Sequence, residues 1–129
     1  MRDTVLDTGL PLVVKFGDQL MQDGFTAVPN SVLEHYAEIG ITNNEMMFTI
    51  QIWNFWWRLR DPYPSLATIA ERMGIQRRQT QQYVENLRSK GFLKTEQRYS
   101  ESGSKLTNEY DFGPMLKAIR EHIAINHST

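Results

Sequence analysis

The run RRQTQQ at residues 77–82 sets two arginines and three glutamines almost side by side. Both residue types have a defined chemistry toward nucleic acid. Arginine hydrogen-bonds bidentately to guanine and glutamine to adenine in a major groove, and both also contact phosphate. If the run is helical, Arg78 and Gln82 fall on the outward side with Glu85 and Ser89, and Arg77, Gln81 and Arg88 lie along one flank. Amide-rich outward positions without aromatic residues have little use in a packed protein interface. The same residues also suit a plain solvated helix face, and Glu85 stands among them. Two further cations, Arg98 and Lys105, flank the polar turn YSESGS, where a hairpin tip would approach a phosphate backbone or a minor groove.

Other chemistries find less support. The chain has no cysteine, hence no disulfide framework, no thiolate nucleophile and no cysteine-containing zinc site, which fits a reducing cytosol. His35, His122 and His127 lack the spacing of an HExxH metal site, and there is no P-loop and no GxSxG. The acidic residues are scattered rather than clustered for metal ions. Each histidine therefore reads as a surface or packing residue, and the expectation is no metal, no cofactor, no catalytic residue and no enzymatic activity. The longest early apolar run, LPLVV, is far shorter than a membrane span and lacks a basic leader, which predicts a soluble, cytoplasmic protein with no membrane partner.

A net charge of −1 looks unsuited to a polyanionic partner until it is divided along the chain. Residues 1–64 hold 4 basic and 8 acidic side chains, whereas residues 65–129 hold 10 basic and 7 acidic ones. The first half thus carries −4 and the second +3, so the positive charge sits with RRQTQQ.

The elements that must position these residues follow from periodicity and caps. A length of 129 residues with 40% hydrophobic content suits one domain with a real core. Residues 1–24 are the least regular and read as an extension that could serve as an oligomerisation arm, with residues 25–129 as the domain. LPLVVKF suits a short strand and GDQLMQDG a turn or helical turn. VPNSVLEHYAEIG predicts a helix with Ser31 and Glu34 as a capping box and Gly40 as the stop. Thr42 and Glu45 repeat the box and open a second helix to about Arg60.

That second helix is apolar on two sides. Met46, Ile50, Trp53 and Trp57 form one stripe, and Phe48, Ile52, Phe55 and Leu59 another roughly opposite. Either the helix is central within one monomer, or one stripe meets a second subunit. In so small a domain the favoured reading gives Phe48, Ile52, Phe55 and Leu59 to an oligomer interface.

Past the linker DPYP, Ser65 caps a helix whose Leu66, Ile69, Ala70 and Met73 share a face, and Gly74 ends it. The next helix runs from about Gln76 to Lys90 and buries Thr80, Tyr83, Val84 and Leu87. The period then becomes extended. FLKTEQR and KLTNEYDF predict two strands, with Leu106, Tyr110 and Phe112 on one face. Two helices followed by a hairpin make a winged helix-turn-helix. Met115, Leu116, Ile119 and Ile123 predict a last helix that covers the core or joins an oligomer contact.

PSLATIAERMGIQRRQTQQYVENLRSKGFLKTEQR resembles the winged-helix domain of bacterial, phage and plasmid replication initiators and of related transcription regulators. The preceding VPNSVLEHYAEIG and ITNNEMM are similar to the start of the N-terminal domain of DnaD-type primosomal proteins. The resemblance covers roughly residues 25–116, with Ala70, Gly74, Leu87 and Lys90-Gly91-Phe92 matching a pattern common among such regulators. Thr80 departs from it, since an aliphatic residue is usual there. The resemblance implies two roles, because in DnaD-type proteins this domain is associated with self-assembly.

The expectation is a mainly α domain with a small β-hairpin wing, a homodimer or higher oligomer that binds double-stranded DNA as a replication initiator or transcription regulator. Ser65 and the start of its helix would hold a phosphate, Arg77, Arg78, Gln81 and Gln82 would enter the major groove, and Arg98 and Lys105 would flank it. The alternative is an assembly module of a primosome-like complex, meeting other replication proteins without touching DNA.

Overall fold

The computed structural model describes residues 11–56, 64–106 and 108–127. It is mainly helical: α1 (Leu12–Phe16), α2 (Asp18–Met21), α3 (Asn30–His35), α4 (Asn43–Trp56), α5 (Leu66–Met73), α6 (Arg77–Ser89) and α7 (Gly113–His127). Between α6 and α7 lies a two-stranded antiparallel sheet of β1 (Lys94–Glu96) and β2 (Glu109–Asp111). Its register pairs Lys94 with Asp111, Thr95 with Tyr110 and Glu96 with Glu109, and a further bridge joins Tyr99 to Lys105 nearer the tip. Two helices across a short turn, then a hairpin, is the order expected of a winged helix-turn-helix.

The described residues before α4 depart from expectation in two places. LPLVVKF does not form a strand: Pro11 opens α1 and Gly17, at φ 85°, closes it with its amide on the Val13 carbonyl. The β-branched valines favour a strand only where a neighbouring strand can pair with them, and here the proline cap and glycine stop prevail. The second departure is the Ser31–Glu34 capping box. Pro29 takes the cap position and α3 starts at Asn30, so Ser31 already lies inside the helix.

The Thr42–Glu45 box does form, with Thr42 N–H donating to Glu45 Oε1 at 2.9 Å and Glu45 N–H donating to Thr42 Oγ1 at 3.1 Å. It opens α4, which is the central helix. Phe48 and Ile52 have no exposed surface, and Met46 and Trp53 on the other stripe are each 3% exposed. Ile69, Leu87, Phe112 and Met115 close around them, and Trp53 meets Phe112 edge to face with ring centroids 6.1 Å apart. Each such aliphatic or aromatic side chain contributes about 1.5–3 kcal/mol when fully buried. Phe48 and Ile52, from the stripe predicted to face a second subunit, are therefore internal, covered by residues of α5, α6, α7 and the end of the hairpin.

Among the described residues, one charged side chain is buried in this core. Glu45 is 1% exposed, and its Oε1 accepts from Lys90 Nζ at 2.7 Å. The same ammonium donates to the Gly40 carbonyl at 2.7 Å. Burial pushes the Glu45 carboxyl up, but the hydrogen bonds from Lys90 and from the Thr42 amide, with Asn86 adding another, outweigh it and hold the group below the usual carboxylate range. A carboxyl held low when folded adds stability above that range and loses it as pH falls through the folded value. Lys90→Met is expected to cost about 2 kcal/mol at pH 7, the scale of a charge-assisted hydrogen bond left unmade. It should also flatten the loss of stability in acid, because the group that lowers the carboxyl is gone. Urea denaturation of both proteins at pH 7 and pH 4 checks both effects.

Candidate nucleic-acid interface

The helix-turn-helix forms for local reasons. Ser65, in extended conformation, caps α5 by accepting from the Thr68 amide at 3.1 Å. Ile69 and Ala70 point inward. Gly74 then takes the left-handed region at φ 68°, where a side chain would be strained, and the Ile75 amide returns to the Ala70 carbonyl at 3.0 Å. Helix α6 opens on a capping box that the sequence reading had not found: Gln76 N–H donates to Gln79 Oε1 at 2.9 Å, and the Gln76 side chain accepts from the Gln79 backbone.

This geometry brings the first turns of α5 and α6 against the hairpin. Ser65, Arg77 and Lys105, three residues picked out from the sequence, line one cleft together with Gln97, Asn108 and Tyr110. Gln97 holds the hairpin side of the cleft, its amide donating to the Leu106 carbonyl at 2.6 Å and the Arg98 carbonyl at 3.0 Å. Tyr110 forms the floor: burial pushes its phenol above the ordinary value, and the Arg77 charge pulls the other way. Among the described residues, no acidic side chain pairs with Arg77, Arg78 or Lys105.

The other expected contacts sit apart from the cleft. Arg78, Gln81 and Gln82 are exposed on α6, where Gln82 Nε2 donates to Asn86 Oδ1 at 2.8 Å. That bond uses one of the two N–H groups of the Gln82 amide and leaves the other and its Oε1. Further along, Glu85 pairs with Arg88 at 3.2 Å, and Lys90 is spent on Glu45. Arg98 is half-buried in the hairpin arm. Gln97, Asn108 and Tyr110 are polar cleft residues that sequence reasoning missed; the strand alternation placed Tyr110 inward, but nothing marked Gln97 or Asn108.

Two of the residues expected at an oligomer surface are internal to the single chain. Phe48 and Ile52 belong to the core, for the packing reason given above, and Phe55 is half-buried beneath the Arg72 guanidinium, 4.6 Å from its ring centroid. Leu59 lies outside the described residues. The large apolar side chains left exposed are elsewhere, among them Val14, Phe16, Leu20 and Phe25.

Two helices across a short turn, followed by an antiparallel hairpin that lines one cleft with their starts, define a small, mainly helical domain of helix-turn-helix shape. The crystal structure of the N-terminal domain of the DnaD protein from Geobacillus kaustophilus HTA426 is similar in fold, with a TM-score of 0.68 and 22% identity over 88% of this chain and 93% of that one. Residues 28–129 match the family model of the DnaD N-terminal domain, and the chain belongs to that family. No curated protein matches it.

Ser65→Ala is expected to lower stability by about 1 kcal/mol, the usual cost of a lost serine cap. Chemical denaturation measures it. No change would mean that the cap hydrogen bond is not made in solution.

Proposed function

We propose that the protein is a replication-associated module of the DnaD type that grips the phosphate backbone of duplex DNA in the cleft of Ser65, Arg77 and Lys105. The observation that carries this reading is their convergence: a helix start, a guanidinium without an acidic partner among the described residues, and an ammonium from the hairpin line one cavity. Membership of the DnaD N-terminal domain family supports replication over transcription as the setting. Arg78, Gln81 and Gln82 would face the groove beside that backbone contact, with Arg98 behind the wing.

A salt titration tests it. With Arg77, Arg78, Arg98 and Lys105 on phosphates, each contact releases condensed counterions, so log affinity should fall with log salt at a slope of about −3 to −4. Fluorescence anisotropy on mixed-sequence duplex in low and moderate salt reads the slope. Ser65→Asp keeps the cap but sets a negative charge in the cleft, so it should fold normally and bind DNA weakly. Arg78→Ala should cost about 1–3 kcal/mol on a preferred sequence if it reads a base. Wild-type protein without salt-dependent binding would end the reading.

A second reading, a self-assembly module, has an observation of its own. Val14 is 64% exposed, Phe16 56%, Leu20 68% and Phe25 52%, all within one short segment before α3. An apolar run of this kind is commonly covered by another chain. The self-assembly implied by the family resemblance favours the same role. We expect sedimentation of the wild-type chain at micromolar concentration to show a dimer or larger species, and Phe16→Ser with Leu20→Ser to shift it toward monomer. Apolar association of this kind is insensitive to moderate salt, which separates it from DNA binding in the same sample.

A further inference from the structure

The molecule holds a second cluster of chemically competent side chains, outside the cleft and independent of the function proposed above. His35 ends α3, Glu38 lies in the turn that follows, and His122 arrives from α7, 84 positions beyond Glu38. Glu38 Oε1 accepts from His35 Nδ1 at 2.5 Å and from His122 Nε2 at 3.0 Å. The two imidazoles meet edge to face with centroids 5.5 Å apart. One donor atom from each of the three side chains falls within 4.8 Å of the others. The hydrogen bonds from His35 and His122 hold the Glu38 carboxyl below the usual carboxylate range, so it stands as an anion between the rings.

We propose that His35, Glu38 and His122 form a three-ligand site for a divalent transition-metal ion of the zinc type. Two imidazole nitrogens and a carboxylate oxygen make a donor set that zinc, cobalt and nickel prefer, whereas magnesium and calcium take oxygen ligands. Tetrahedral zinc with bonds near 2.0–2.2 Å spaces its donors about 3.3 Å apart. Binding would need Glu38, 52% exposed in its side chain, to draw back slightly and the two imidazole nitrogens, within 4.8 Å of each other, to close up toward the ion. The histidine side chains are 24% and 25% exposed, so two ligands are held by the fold while solvent reaches the centre. A water would complete the tetrahedron. Asn126 Nδ2, 3.1 Å from His122 Nε2, stands close enough to turn its amide toward that water. The ion would fasten the turn after α3 to α7, two segments that otherwise meet mainly through side chains.

The sequence could not show this. His35 and Glu38 sit three apart, a spacing with many other uses, and nothing in the order of residues marks His122 as their neighbour.

The test uses the whole 129-residue chain, stripped by a chelator and titrated with Zn2+ by calorimetry and with Co2+ by visible absorption. One equivalent should bind, Co2+ should give the intense visible bands of four-coordination, and Zn2+ but not Mg2+ should raise the melting temperature. His35→Ala and His122→Ala should each weaken binding by more than the about 10- to 100-fold that loss of a supporting partner costs, with the metal-free circular dichroism unchanged. His127→Ala should bind as wild type does. If either alanine variant fails to fold, Glu38→Gln, at an exposed position, decides: it must weaken Zn2+ binding. The proposal is overturned if the wild-type chain takes up no Zn2+, if Glu38→Gln or the folded histidine variants bind undiminished, or if the loss follows His127→Ala instead.

Discussion

The buried carboxylate of Glu45 is the point on which the arrangement of the helix-turn-helix half turns. It caps its own helix through the Thr42 amide, and it receives Lys90, the residue that closes α6. Lys90 also takes the Gly40 carbonyl at the end of the turn before α4. One ammonium thus ties three chain segments at a single point. The apolar core supplies more free energy, since several fully buried side chains at about 1.5–3 kcal/mol each outweigh one ion pair. A core of Phe, Ile, Leu and Met tolerates other packings, however, and a buried carboxylate does not. A large rotation of α6 on α4 would leave Glu45 without its partner, so the ion pair disfavours some orientations that hydrophobic burial alone permits.

That orientation matters at the other end of α6. The helix has 13 residues and is therefore about 20 Å long, so fixing Lys90 fixes where Arg77 emerges. There the start of α6 meets the start of α5, and both helix dipoles present their positive ends to the cleft that Lys105 closes from the hairpin. The overall charge of −1 says little about this. Screening confines each charge to about 8–10 Å at ordinary ionic strength, and what a phosphate meets is the local set. The acids of the hairpin strands, Glu96, Glu109 and Asp111, line a separate hollow beside Trp56 rather than the cleft.

Features set by contacts within a turn of helix were legible in the sequence. The Thr42–Glu45 box, the Ser65 cap, the Gly74 stop and the inward stripe of α6 depend only on residues one to four apart. The same kind of rule failed at Ser31, because Pro29 competes for the cap two positions earlier and a local motif does not say which of two starts wins. Helix α4 shows a different limit. Its two apolar stripes announce that both sides are covered, but not by what, and the covering residues Ile69, Leu87, Phe112 and Met115 come from three later stretches of chain. The convergence of Ser65, Arg77 and Lys105, and that of His35, Glu38 and His122, lie beyond local reading for the same reason.

Thr80 shows how the interface reaches into the core. The position is fully buried, and an aliphatic residue would fill it, yet the hydroxyl costs nothing there because Oγ1 donates to the Arg77 carbonyl at 2.5 Å. The Leu66 carbonyl lies 3.5 Å from the same oxygen, too far to share the proton equally but close enough to be turned toward it. Leu66 and Arg77 are the first residues of α5 and α6, and both line the cleft. A threonine where a hydrocarbon would pack as well thus places its one polar bond behind the two helix starts that carry the site. Its departure from the aliphatic pattern is accommodated by a bond within its own helix, to the carbonyl three residues earlier.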